Sequence, residues 1–95
     1  MGLKEEILEI IEKAVEDLKT EGLQPDILLA GEGFLKYAGE VVDVLDLSVY
    51  TVKELDYDAV IADSRYLGQI RRASKRVSIE PLIVEDEMWN EIKSI

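Results

Sequence analysis

The chain has 95 residues, a length that suits one domain with a single hydrophobic core. Hydrophobic residues make up 47% of the sequence and charged residues 34%, a balance typical of a folded globular protein rather than a disordered one. The formal net charge of −10 argues against non-specific binding to nucleic acid or to anionic membranes, because both would be repelled. Cysteine and histidine are absent, which excludes disulfides, cysteine nucleophiles, thiolate or imidazole metal ligands and the commonest general base.

The sequence contains no apolar run long enough to cross a membrane, and the charges from Lys4 to Glu6 are not those of a signal peptide. We therefore expect a cytoplasmic protein. Asparagine, glutamine and methionine are scarce beside the many charged residues, a composition that favours a thermophilic source.

Residues 3–21 form the clearest predicted element, an amphipathic helix. Apolar residues recur there at intervals of three and four: Leu3, Ile7, Leu8, Ile10, Ile11, Ala14, Val15 and Leu18. Glu5 and Glu6 suit the first turn of a helix, and Gly22 follows in the usual position of a C-terminal cap.

The segment 25–39 predicts a strand, a glycine turn and a short helix. The continuous apolar run Ile27–Ala30 favours a central strand that is covered on both faces. Gly31 and Gly33 are expected to reverse the chain, and Gly39 to cap the helix that follows. This glycine pattern is similar to a dinucleotide-binding turn. However, Lys36 replaces its third glycine, so a plain turn is favoured.

The rest of the chain predicts three further strands. Residues 40–46 are ambiguous between a strand and a loop, and 47–52 read as a strand. A polar turn leads to the short apolar strand 59–62 and then to an irregular or helical segment at 64–75. Residues 76–84 alternate like a strand that Pro81 interrupts. Asp86 could cap a last helix with its apolar residues on one side: Met88, Trp89, Ile92 and Ile95.

These elements predict an α+β fold in a single small domain. We expect a long N-terminal amphipathic helix at 3–21, packed on a mixed sheet of about four strands with one or two short helices. The strand and helix core should span 26–84, and an amphipathic tail should occupy 85–95.

Two groups of polar residues could carry chemistry, but a structural role is favoured for both. Asp56, Asp58 and Asp63 could gather around a hard cation, although carboxylates in turns are usually solvated. Ser64 and Lys75 could form a catalytic dyad, yet no nucleophile elbow surrounds the serine. We therefore predict no catalytic, cofactor-binding or metal-binding residues, no cofactor and no small-molecule substrate.

The charges are segregated along the chain. Residues 1–63 carry 16 acidic and 5 basic side chains, whereas 64–76 carry 5 basic side chains and no acidic ones. A basic patch on an acidic protein suits contact with a second copy of that protein. The predicted partner interface comprises this segment and the single tryptophan: Arg65, Tyr66, Arg71, Arg72, Lys75, Arg76 and Trp89.

The order of these motifs resembles the A-domain of the encapsulins, which are phage-capsid-like shell proteins, and most closely their minimal archaeal class. A long helix and Gly22 lead into PDILLAGEGFLKYAG at 25–39. A strand at 47–52, YDAVIADSRYLG at 57–68 and a strand from Val77 follow. The resemblance covers residues 3–84 and leaves the tail unexplained.

The resemblance implies a capsid A-domain fold and a non-enzymatic, self-associating protein that forms a shell or ring around cargo enzymes. Two alternatives stay open. One is a small adaptor or regulator that binds another cytoplasmic protein through Trp89 and the terminal helix. The other is an RNA-binding module that uses residues 64–76 with Tyr66, which the overall negative charge disfavours.

Overall fold

A computed structural model of the protein describes residues 2–69, 73–84 and 88. In the described residues, the first two strands each follow a long α-helix and two further strands come after them, which confirms the predicted α+β class. Their bounds are α1 Leu3–Thr20, β1 Ile27–Ala30, α2 Glu32–Val42, β2 Ser48–Thr51, β3 Asp58–Ala62 and β4 Ser74–Ser78. Short 3₁₀ helices occupy Lys53–Leu55 and Ser64–Gln69, and residues 80–84 are helical. Within the described part of the chain, no helix combines the length and the apolar character that crossing a membrane requires.

The N-terminal helix α1 ends in a Schellman motif built on Gly22. The N–H of Leu23 donates to the carbonyl of Leu18 over 3.0 Å, and the N–H of Gly22 donates to that of Lys19 over 3.0 Å. Gly22 has a φ of +86°, which a residue with a β-carbon rarely adopts. The chain therefore turns sharply out of α1 toward β1.

The four strands form one mixed sheet in the order β2-β1-β3-β4. The pair β1–β2 is parallel, and the pairs β1–β3 and β3–β4 are antiparallel. The two strands with continuous apolar sequences, β1 and β3, lie in the centre, as predicted. The more polar strands β2 and β4 form the edges.

The hydrophobic core lies between the helices and one face of this sheet. Both helices contribute buried side chains, including Ile11 of α1 and Phe34 of α2, which are each 0% exposed. From the central strands, Leu28, Ala30, Ala59 and Ile61 belong to the same cluster. We call this side of the sheet the helix face.

The opposite side of the sheet, which we call the open face, lies outside the core cluster. Strand register assigns it ten residues: Ile27, Leu29, Ser48, Tyr50, Asp58, Val60, Ala62, Ser74, Arg76 and Ser78. Of the central-strand residues on this face, Ile27 and Ala62 are buried and Leu29 and Val60 are partly exposed, so the burial expected on both faces is complete on the helix face and partial here. The helices of the described chain cover one face.

Helix α2 is longer than the sequence predicts. Gly39 lies inside the helix rather than at its C-cap, and part of the ambiguous segment 40–46 forms its last turn. Val41 and Val42 explain the extension, because burying their side chains against the core outweighs the low helix propensity of one glycine.

The segment around Pro81 was predicted wrongly as a strand. Strand β4 begins earlier, at Ser74, and residues 80–84 are helical. Pro81 lies in the first turn, where its missing N–H has no intrahelical partner to lose. Ile79 and Ile83 are buried, so this helix packs on the core. Of the predicted terminal helix, Met88 is helical and 57% exposed, while Trp89, Ile92 and Ile95 lie outside the described residues.

Candidate functional site

Where β3 ends, Arg65 of the predicted basic segment forms an ion pair with the buried carboxylate of Asp63. Asp63 is 1% exposed, and its carboxylate accepts hydrogen bonds from the backbone N–H groups of Gln24 and Arg65. The Arg65 guanidinium donates to the same carboxylate, with Nη2 at 2.6 Å from Oδ2. This guanidinium, helped by the two N–H groups, holds the pKa of Asp63 far below its usual range. Asp63 therefore stays charged and fixes Arg65 in place.

Arg65 also contacts the aromatic ring that follows it. Its guanidinium carbon lies 5.4 Å from the ring centroid of Tyr66, within the range of a cation–π interaction. The Arg65 side chain is 52% exposed, and Tyr66 is 42% exposed. These two members of the predicted interface form one small unit at the surface.

Lys75 and Arg76 lie on opposite faces of β4. The Nζ atom of Lys75 is 3.7 Å from a carboxylate oxygen of Asp17 in α1, on the helix face. Arg76 lies on the open face, where its Nη2 and Nε atoms are 2.6 Å and 2.8 Å from Oδ2 of Asp58. The pKa of Asp58 is lowered mainly by a hydrogen bond from the Ser78 hydroxyl and further by Arg76. Neighbours in sequence thus point in opposite directions.

The remaining members of the predicted interface, Arg71, Arg72 and Trp89, lie outside the described residues. The three basic side chains that the structure does place, Arg65, Lys75 and Arg76, each pair with a carboxylate of the same chain. Their role in contact with a second copy remains a prediction.

Neither the possible serine–lysine dyad nor the possible cation site of three aspartates is assembled in the described chain. The Ser64 hydroxyl donates to Asp26 and lowers the pKa of that carboxyl, while Lys75 pairs with Asp17. Serine and lysine therefore have separate partners. Asp58 and Asp63 pair with different arginines, and no group of three potential metal-ligating residues occurs among the described residues.

The backbone of Asp56 fills the space next to the glycine turn before α2. The N–H of Phe34 donates to the carbonyl of Asp56 over 2.8 Å. A β-carbon on Gly31 would lie 2.2 Å from the backbone N and O atoms of Asp56. Gly31 has a φ of −75°, so this glycine serves close backbone approach rather than chain reversal.

An acidic stripe covers the solvent side of α1. It consists of exposed carboxylates spaced three or four residues apart: Glu5, Glu9, Glu12 and Glu16. None of them forms an ion pair with another described residue. Like charges at this spacing repel one another on a helix. The stripe therefore offers negative charge to a neighbouring molecule.

The open face contains surface residues that the sequence analysis missed. Tyr50, Leu29, Val60 and Arg76 are registered side by side across all four strands. The sequence feature that could have indicated these residues is the pair of apolar runs in β1 and β3, because a continuous apolar run places apolar side chains on both faces of a sheet.

Comparison with known proteins places the chain in a family. Residues 2–81 match the family model described as "putative type 4B encapsulin shell protein". A protein of that description from Pyrococcus furiosus is 49% identical over 91 residues, which cover 96% of this chain and 88% of the relative. This chain belongs to the type 4B encapsulin shell protein family.

Family membership confirms the resemblance drawn from the sequence. The match spans α1, the whole sheet and the start of the helix at 80–84, as the motif order indicated. The relative's source is a thermophilic archaeon, which agrees with the thermophilic source expected from the composition.

Proposed function

We propose that this chain is a non-enzymatic, self-associating structural subunit that forms a shell or ring around cargo enzymes. The observation that carries the proposal is the family match, which extends over residues 2–81 and therefore over the complete sheet. A structural role is also supported by the polar side chains best suited to chemistry, because each is already bonded to another residue of the chain. These side chains are Ser64, Asp58 and Asp63.

The contact that we propose between neighbouring subunits joins the basic segment of one copy to the acidic stripe of the next. Contacts that close a ring are heterologous, so two different surfaces must complement each other. The acidic stripe lacks cationic partners among the described residues, and 64–76 is the only part of the sequence with a concentrated positive charge. Arg71 and Arg72 are the residues chosen for the test, because the other three cations have partners within the chain.

The proposal is tested by the mass of natively purified protein. Multi-angle light scattering should find particles far heavier than the 10.7 kDa chain, and electron microscopy should show their rings or shells. The double substitution Arg71→Glu with Arg72→Glu should convert these particles to small species, because it places negative charge against the acidic stripe. The control is Lys36→Glu with Lys53→Glu, which makes the same change in net charge at two exposed positions elsewhere.

Two results would contradict the proposal. One is a wild-type chain that stays monomeric across salt and protein concentration. The other is an equal loss of mass in both double variants, which would indicate a general effect of net charge rather than a specific contact.

Enclosure of cargo is tested by a separate protease-protection experiment. Natively purified particles should contain a second protein that resists added protease while the particles are intact and becomes digestible when they are dissociated. Particles that never carry a second protein would remove the cargo part of the proposal and leave the shell part standing.

A second candidate function is an adaptor that binds another protein through its C-terminal region. It is favoured by two exposed apolar side chains there, Val84 at 48% and Met88 at 57% exposure. Isolation of the chain with one stoichiometric partner and without large particles would support this function instead.

A further inference from the structure

A shallow groove runs between the N-terminal part of α1 and the second half of α2. It consists of two adjoining depressions, of about 250 Å³ and about 400 Å³. Both are bordered by Lys4 and Glu40, whose exposed side chains form an ion pair. An ion pair in this exposed setting contributes little stability, so the two depressions can join at small cost. We call them together the helix groove.

The helix groove exposes apolar side chains. Val44, just after α2, is 76% exposed, more than any other large apolar residue among those that the structure describes. Leu8 of α1 and Leu35 of α2 line the same groove and are partly exposed. An apolar groove between two helices suits a third helix that has apolar residues along one side.

Gly39 forms a notch in the wall of the helix groove. It lies inside α2, where glycine lowers helix stability relative to alanine. A β-carbon there would meet no heavy atom within 4 Å apart from its chain neighbours and its own helix backbone. At Gly31 and Gly33, in contrast, a β-carbon would lie 2.2 Å and 2.7 Å from atoms of the segment 56–57. Packing within the chain therefore explains Gly31 and Gly33 but not Gly39, whose notch suits the close approach of another helix.

The C-terminal segment 87–95 has the sequence pattern of a helix that would fill this groove. Its apolar residues fall on one side of the predicted helix, and its charged residues fall away from that side. Nine helical residues span about 13 Å, close to the length of the stretch 35–44 that lines the groove. The apolar side consists of Met88, Trp89, Ile92 and Ile95.

Two observations point to the segment of a neighbouring copy as the occupant. Val84 and Met88, at the described beginning of the C-terminal region, are 48% and 57% exposed, so their own chain leaves them largely uncovered. Glu5 of the acidic stripe also lines the helix groove. A neighbour whose basic segment contacts that stripe therefore lies beside the groove.

We infer that segment 87–95 of each copy binds as a helix in the helix groove of a neighbouring copy, with its apolar side against Leu8 and Val44 and its backbone closest at Gly39. This inference rests on the proposed self-association and adds an apolar contact to the charged one between the basic segment and the acidic stripe. Both contacts are heterologous, because each joins two different surfaces.

The contact has the size of a specific interface. A buried tryptophan removes about 150–250 Å² from water. With about 100 Å² for each of the other three apolar side chains, the segment buries about 500 Å². A similar area of the groove brings the contact to about 1,000 Å² in total, the size expected of a biological interface.

The first experiment measures the midpoint concentration of assembly by light scattering, together with the fluorescence of Trp89, the only tryptophan in the sequence. The emission of Trp89 should shift to shorter wavelength on assembly. Val44→Asp places a charge in the groove, so it should abolish this shift and raise the midpoint about tenfold or more. The matched control, Tyr50→Asp, adds the same charge at a 55% exposed position on the open face and should stay within about threefold of wild type.

A second variant blocks the groove without adding charge. Gly39→Leu fills the notch and should also raise the midpoint of assembly about tenfold. Its urea unfolding midpoint should be at or above that of wild type, because leucine is a better helix former than glycine and a β-carbon there meets no other element of the chain. Weaker assembly with retained stability distinguishes a blocked groove from a damaged fold.

The third experiment exploits the absence of cysteine from the sequence. Glu40→Cys, in the middle of the groove, and Glu91→Cys, in the middle of the segment, are made in separate chains. Because both positions are central, they meet whichever way the segment runs. After treatment with a short thiol-reactive linker, the mixture should contain at least about fivefold more cross-linked pairs than either variant alone. Tyr50→Cys mixed with Glu91→Cys is the control and should show no excess.

The outcomes separate this inference from the proposed function. Particles that persist in Val44→Asp and Gly39→Leu, with no excess of cross-links in the mixture, would overturn the groove contact and leave the shell subunit standing. Small assemblies that show the cross-link but never reach the mass of a ring or shell would overturn the shell and leave the groove contact standing. A chain carrying both cysteines that cross-links internally at concentrations below assembly would assign the groove to its own C-terminal segment and overturn the inference.

Discussion

At the scale of single residues, the best-defined feature is the buried carboxylate of Asp63. It accepts two backbone N–H groups and a guanidinium, and these join three places in the chain: the approach to β1, the end of β3 and the 3₁₀ helix that follows. A buried charge is tolerated only when it is paired and hydrogen-bonded in this way. Asp63 therefore fixes the position of Arg65, which is part of the predicted interface.

Asp63→Asn should lower the melting temperature by several degrees at pH 7, because a neutral amide cannot accept all of these donors. The folded-state pKa of Asp63 is depressed, so its stabilisation is complete above the unfolded value of about 3.9 and declines as the pH falls below it. The difference between variant and wild type should consequently shrink between pH 7 and pH 3. Thermal unfolding followed by circular dichroism at both pH values checks this.

The comparison variant for Asp63 is Asp46→Asn, which removes an exposed carboxylate from the loop before β2. It should leave the melting temperature nearly unchanged at both pH values. A difference between Asp63→Asn and wild type that stays constant with pH would show that the charge of Asp63 is not what stabilises the fold.

At the scale of elements, the start of α2 depends on the backbone of the segment that precedes β3. Gly31 and Asp56 are in direct contact, and the carbonyl of Asp56 accepts the N–H of Phe34. Helix α2 is thus positioned by a neighbour distant in sequence. Its length, in contrast, is set by the burial of Val41 and Val42.

Gly31→Ala should destabilise the fold by about 3 kcal/mol, because a β-carbon there would lie 2.2 Å from backbone atoms of Asp56 and the chain would have to shift. Gly39→Ala inside α2 adds a β-carbon that meets no heavy atom within 4 Å apart from its chain neighbours and its own helix backbone. It should stabilise the fold by up to about 1 kcal/mol, through helix propensity alone. Urea unfolding midpoints of the two variants should move in opposite directions, and a shift in the same direction would disprove this account of α2.

At the scale of the whole molecule, the self-association that we propose must overcome the charge of −10 on every chain. Repulsion between whole subunits acts over long distances and is screened as the Debye length falls from about 30 Å at 0.01 M salt to about 8 Å at 0.15 M. Ion pairs within an interface are shorter and partly shielded from solvent, so salt weakens them less. Added salt therefore favours assembly by screening the long-range repulsion, and it opposes assembly, to a smaller extent, by weakening the interface ion pairs.

Raising the salt concentration from 0.01 M to 0.15 M should therefore increase the mean particle mass of the wild type, which light scattering measures directly. Arg71→Glu with Arg72→Glu should give lower masses than wild type at both concentrations, because the local contact is lost in each case. A mean mass that only falls as salt is added would mean that interface ion pairs outweigh the repulsion between subunits.

The amino-acid sequence by itself determined the class of the fold and the family. The 3.6-residue period of α1, its glycine cap and the short apolar runs of β1 and β3 are local patterns, and each folded as its pattern predicts. The order of these motifs was enough to indicate an encapsulin A-domain. The segregation of basic residues into 64–76 is likewise visible without any structure.

Only the tertiary structure decided which side chains share a surface. Lys75 and Arg76 are adjacent in sequence but lie on opposite faces of the sheet, because side chains alternate along a strand. Tyr50 and Arg76 are far apart in sequence but end the same row, because the strand order brings β2, β1, β3 and β4 into register. Burial also extended α2 through Gly39 and made residues 80–84 helical, since core packing outweighs local propensity at such positions.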